Sequence, residues 1–237
     1  MAALWDRYAR RYQRFDHLEP KVEDLPAARG SALAELGASA FFSCGYTLTS
    51  HSGPFTALFI HWTVPHLVFV SQPLNINLFH TFVGLGFLDV HVEMSVDSAQ
   101  HVTSALWVNA VGQVNLPVAP GDAVSAALCL DTKPPGTAHY FLTNETTGQT
   151  VNFKVDTGFP PAVTIGAGVT RGLVDNNPTI SPLARFGVVY FDEISAYSTG
   201  GSQSLTAGQA ITMTGLDGST LASPVRLNDY AFKVVYG

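Results

Sequence analysis

From residue 41 onward, apolar residues either alternate with polar ones or run in short blocks. The segments are 41–49, 55–64, 66–70, 78–85, 88–96, 102–111, 123–130, 138–143, 150–155, 188–196 and 230–236. A period of two over short stretches is the mark of a strand with one buried face. Turn-forming clusters separate most of them, among them Ser52-Gly53-Pro54, Pro120-Gly121-Asp122, Lys133-Pro134-Pro135-Gly136 and Thr147-Gly148-Gln149. Strands at this spacing predict a sandwich or barrel. No strand–helix alternation points to a parallel α/β sheet, and no internal repeat is present. Before residue 41 the period changes. Leu4, Trp5, Tyr8, Tyr12 and Phe15 fall at helical spacing with arginines between them, which predicts a short amphipathic helix. Residues 16–28 are polar and proline-bearing and read as a linker, and 29–38 as a second short helical stretch. The expected organisation is therefore an N-terminal helical arm and linker over 1–38 and one β domain over 39–237. Residues 156–183, with four prolines and several glycines, read as irregular. Residues 198–224 read as low-charge strands with long turns or as a surface excursion.

Composition agrees with many strands and tight turns. The chain has 15 Phe, 8 Tyr, 21 Gly and 14 Pro, and 46% of its residues are hydrophobic. That is enough apolar surface for a core without metal or disulfide staples. The formal net charge of -6 argues against nucleic-acid binding by bulk charge. Arg7, Arg10, Arg11 and Arg14 form a small basic cluster in the arm, read as the solvated face of a helix. Cys44 and Cys129 leave room for one bridge at most, and nothing in their spacing supports it. No run is long and apolar enough for a membrane span. The N-terminus shows no signal-peptide core, so the expected location is cytoplasmic, or outside by a non-signal route.

Six short motifs, in order, resemble the eqolisin (glutamic peptidase) family. They are Cys44-Gly45-Tyr46 with Gly53-Pro54-Phe55-Thr56, then His61-Trp62-Thr63-Val64-Pro65, then Phe82-Val83-Gly84-Leu85-Gly86. Val118-Ala119-Pro120-Gly121-Asp122, Asn144-Glu145-Thr146-Thr147-Gly148-Gln149 and Pro182-Leu183-Ala184-Arg185-Phe186-Gly187 follow. Each alone is generic turn or strand-end chemistry; the order and spacing carry the resemblance. It implies a two-sheet antiparallel β-sandwich, concanavalin- or jelly-roll-like, with a groove on its concave face.

The resemblance also implies a catalytic pair. Eqolisins cut peptides at acidic pH with a glutamate as general base on a water and a glutamine that orients the water and stabilises the oxyanion. The family's Val-Glu-Gln strand matches Val92-Glu93-Met94, which puts Met94 where the glutamine stands. The Ala-Glu-Trp-Ile-x-Glu motif matches residues 167–172, which puts Gly172 where the glutamate stands. On that alignment no catalytic residue is expected. A one-residue slip would instead turn Glu93 into the groove as a fallback acid or base. The alignment adopted leaves Glu93 on the solvent face of its strand.

Trp62, Phe82, Met94 and Trp107 are the expected groove-lining residues, able to grip a peptide or a glycan. Asp89, His91 and Glu93 share a strand face by even spacing and form a metal candidate; no cofactor is expected. No nucleophile elbow or closed phosphate loop occurs. Asn144-Glu145-Thr146 fits a glycosylation sequon but reads as turn chemistry. The expected function is a catalytically silent eqolisin-like binding module for peptide or glycan. The alternatives are a coat-like assembly subunit that self-associates through residues 4–15, and an active acid glutamic-type endopeptidase.

Overall fold

In a computed structural model, the described residues are 10–21, 41–70, 75–109, 111–131, 136–172 and 180–237. They form two sheets facing each other. The larger has ten strands. Its spatial order is Asp16–His17, Gln149–Asp156, Thr137–Asn144, Ala123–Leu130, Phe55–Thr63, Val188–Ser198, Ala231–Tyr236, Thr220–Asn228 and Met213–Thr214, with Gly201–Gln203 paired to Val188–Ser198. The smaller has seven, in the order Gln209–Ile211, Ser43–Thr49, Thr164–Arg171, Ile76–Leu85, Leu88–Asp97, Val102–Val108 and Gly112–Val114. Every pairing is antiparallel except that of Asp16–His17 with Gln149–Asp156. The expected all-β sandwich is the observed architecture.

The core lies between the sheets. Leu58, Ile60 and Trp62 from the larger sheet share one buried cluster with Val83, Val90, Val92, Met94 and Val169 from the smaller. The alternation along Leu88–Asp97 is regular. Leu88, Val90, Val92, Met94 and Val96 belong to that cluster, so Asp89, His91, Glu93 and Ser95 face the other way. The Trp62 indole N–H crosses the interlayer to donate to Thr81 Oγ1 at 2.9 Å, which satisfies a polar atom that burial would otherwise penalise.

Three expectations need correction. Residues 156–183 are not irregular throughout, because Thr164–Arg171 is a strand between Ser43–Thr49 and Ile76–Leu85. Its glycines read as loop punctuation, but they permit close backbone approach. A Cβ on Gly168 would sit 2.1 Å from the Cys44 carbonyl oxygen. Residues 66–70 form no strand, only a single bridge from Val68 to Arg185. Part of the expected linker, Asp16–His17, adds a strand at the edge of the larger sheet. Residues 198–224 take the strand-and-turn option, closing with Thr220–Asn228. Most of the helical expectation over 4–15, and all of that over 29–38, lies outside the described residues; 10–12 are helical.

Tyr12 docks the arm on the outside of the larger sheet. It is buried against Phe59 and Ala127, and Phe15 packs edge-on to it. Its hydroxyl donates to the Glu145 carboxylate and lies 3.2 Å from Ser125 Oγ. Arg11 pairs with Glu193 at 2.8 Å. Under this lid His61 Nε2 has no hydrogen-bond partner. Burial pushes that imidazole below its ordinary value; Arg11 pushes the same way, while Glu145, Glu193 and Asp192 offset it only in part. We predict that Tyr12→Phe costs about 1–2 kcal/mol in urea unfolding. The low end is expected because Ser125 still donates to Glu145 at 2.9 Å. No loss at all would mean the hydroxyl does not anchor the arm.

Two further points follow from burial. Cys44 and Cys129 are unbridged, and burial pushes both thiols up to about 12, which makes them inert nucleophiles. Asn144 is fully buried: its amide donates to Asp122 and its oxygen accepts from the Thr146 and Thr147 amides. The sequon is thus a turn device in the folded protein.

Candidate functional site

A tight hairpin builds the site. Leu85 pairs with Leu88, so Gly86 and Phe87 alone make the turn. Gly86 has φ +61, and a Cβ there would lie 2.8 Å from that of Ala162, so glycine is required on both counts. This turn sets the register of everything below it. Phe82 stands opposite His91 and His80 opposite Glu93. On the next strand, Trp107 stands opposite His91 and Ala105 opposite Glu93. On the other side, Gly168 lies opposite Phe82 and Thr170 opposite His80. Because Val83, Val92 and Val169 fill the interlayer, these residues present themselves on the outer face of the smaller sheet.

A polar chain runs across that face. His91 Nδ1 and Asp89 Oδ1 are 2.6 Å apart, a hydrogen bond that ties the ring to the carboxylate. The His91 and His80 ring centroids are 5.4 Å apart. His80 Nδ1 lies 3.4 Å from Thr170 Oγ1 and its Nε2 lies 3.7 Å from a Glu93 carboxylate oxygen. Burial, reinforced by the neighbouring His91, pulls the His80 imidazole down to about 3. His80 is therefore uncharged at every ordinary pH. Asp89, His80 and His91 are buried, whereas the Glu93 side chain is 47% exposed. The Trp107 indole Nε1 is buried and has no partner.

The structure divides the expected site residues. Phe82 and Trp107 are on the outer face, one strand apart from each other across His91. Trp62 and Met94 are not: both are sealed in the core between the sheets, and Met94 is 0% exposed. The expected register around Met94 is therefore off by one. Met94 faces the core, and Glu93, assigned to the opposite side, shares the outer face with His80 and His91. The cause is the period of two, by which neighbouring residues project to opposite faces. Gly172, just past Thr164–Arg171, follows Gly168 and Thr170 on the outer side. A Cβ there would lie 2.7 Å from Leu78 Cβ and 3.5 Å from His80 Cε1. Leu78 thus occupies the space where any side chain at 172 would begin.

No metal-binding group of three or more His, Cys, Asp or Glu residues forms among the described residues. Asp89 and His91 are spent on each other, and Glu93 lies in the next row beside His80. Sequence reasoning missed His80 and Thr170. The signal available was their place in strand-like segments, but pairing them with Glu93 needs the hairpin register. Among the described residues, no helix is long and apolar enough to cross a membrane.

The sequence model of the Peptidase A4 family matches residues 42–236. Among solved structures, scytalido-glutamic peptidase with a transition-state analogue inhibitor is 15% identical. That match covers 83% of this chain and 98% of the other, with a TM-score of 0.62. SCP-B, a member of the eqolisin family of peptidases, in complex with the tripeptide Ala-Ile-His, is 16% identical, with the same coverages and a TM-score of 0.64. At such identities the likeness is one of fold. No curated protein sequence matches.

Proposed function

The chain belongs to the Peptidase A4 family, the eqolisins, and from that premise we propose that it binds an extended peptide on the outer face of its smaller sheet without hydrolysing it. The observation that carries this reading is Gly172. The resemblance places the family's general base there, and Leu78 fills the space where its side chain would start. Glycine at the matched position offers no carboxylate of its own to accept a proton from water. The likeness to SCP-B, whose structure holds a tripeptide, favours a peptide over a glycan as the ligand.

One observation favours a second reading, that of an active acid endopeptidase. Glu93 stands on the outer face with His80 Nε2 at 3.7 Å, so a carboxylate is available one residue from the matched position. A single assay separates the two. Denatured protein is incubated with the chain from about pH 3 to about pH 7, and cleavage is followed by gel and mass spectrometry. We expect intact substrate throughout, together with saturable binding of short peptides, including Ala-Ile-His, by calorimetry. Cleavage that disappears in Glu93→Gln would replace the silent reading with the catalytic one. Failure of any peptide in an array to bind would remove the binding reading.

A further inference from the structure

The remaining question about the outer face is which peptides it would select, and its charge and ring pattern answer it. Glu93 is a half-exposed carboxylate with Ala105 as its cross-strand neighbour, so one flank is open. Among the described residues no lysine or arginine lies within ion-pair distance of it. Its histidine neighbour does not neutralise it, because burial keeps His80 uncharged. One row along the strands, about 7 Å away at the usual rise per residue, Phe82, His91 and Trp107 form a line of rings across three strands. Trp107 brings a buried indole N–H with no partner.

Resting on the peptide-binding reading above, we propose that this face selects peptides with a basic side chain, whose cationic head pairs with Glu93 beside the Trp107 ring. The carboxylate supplies the opposite charge, and the indole face adds attraction for a desolvated cation. A guanidinium meets both demands better than an ammonium: it is planar, stacks on rings, and forks onto a carboxylate. The residues that would set specificity are therefore Glu93 for charge and Trp107 for stacking.

The test uses the full chain and three tripeptides, Ala-Arg-Ala, Ala-Lys-Ala and Ala-citrulline-Ala, titrated by calorimetry at neutral pH. Citrulline keeps the shape of arginine without its charge. We expect the arginine peptide to bind about tenfold more tightly than the citrulline peptide. Lysine should fall between them, and the arginine advantage should shrink with added salt. In Glu93→Gln, whose fold is checked by thermal melting, the gap should close to about twofold or less. Equal affinity for arginine and citrulline, or an unchanged gap in Glu93→Gln, would overturn the charge selectivity while leaving peptide binding intact. Absence of binding by all three, and by the array above, would overturn both readings together.

Discussion

Acidification from about pH 7 to about pH 3 should remove on the order of 4 kcal/mol of folding stability through His80 alone. His80 has a folded value of about 3 against an ordinary 6.5. A base whose folded value is depressed stays neutral in the fold while the unfolded chain takes up a proton. Its contribution is therefore complete above pH 6.5 and is lost progressively as pH falls toward about 3. Each pH unit in that window costs about 1.4 kcal/mol per such group. The groups that face it cannot rescue it. His91 pushes in the same direction, Asp89 is committed to His91, and Glu93 reaches it only at 3.7 Å. His61 adds a loss of the same sign beneath the arm, where Arg11 opposes its protonation. Urea titrations at a series of pH values, read by tryptophan fluorescence, would measure the slope. His80→Phe keeps an aromatic ring and has nothing to titrate, so its stability should fall much less between those pH values. A wild-type curve that is flat over this window would show that His80 is not buried as described.

Met94→Gln should destabilise the protein by about 2–4 kcal/mol and create no peptidase activity. The substitution restores the residue type that the resemblance places at this position, but on the wrong side of the sheet. Met94 is fully buried, with Phe79 and Ser104 as its cross-strand neighbours. The Ser104 hydroxyl already donates to the Val118 carbonyl at 2.6 Å, so it has no proton left for the new amide's oxygen, which goes unsatisfied there. The buried amide then carries its desolvation cost without a compensating hydrogen bond. Glu93→Gln, one residue away and half exposed, should change stability by less than about 0.5 kcal/mol. The contrast between neighbours tests the register directly. A stable Met94→Gln variant beside a strongly destabilised Glu93→Gln would mean the strand is slipped by one residue, and the site would have to be rebuilt on Met94.

Much of this fold was legible along the chain. Alternating segments from residue 41 onward named most of the strands, and turn chemistry such as Asn144 to Gly148 marked their ends. These features are local: they depend on backbone preference and on side chains bonding to their own turns. The Thr164–Arg171 strand was hidden because its glycines serve close contact with Ser43–Thr49, a demand that comes from another part of the chain.

The candidate site lies beyond that local reach. Sequence by itself determined that Leu88–Asp97 is a strand with two dissimilar faces and that the family's motifs run in order, and the resemblance set Gly172 against the family's glutamate. Only the tertiary structure decided that Met94 and Trp62 belong to the core and that Glu93 joins His80 and His91 outside it. The reason is physical. Both faces of the smaller sheet are extensively buried, with Thr170, His80, Phe82 and His91 covered on the outer side as Val92 and Met94 are on the inner. When burial no longer separates the faces, a period of two states which residues stand together but not which way they look, and the packing of the second sheet makes that choice.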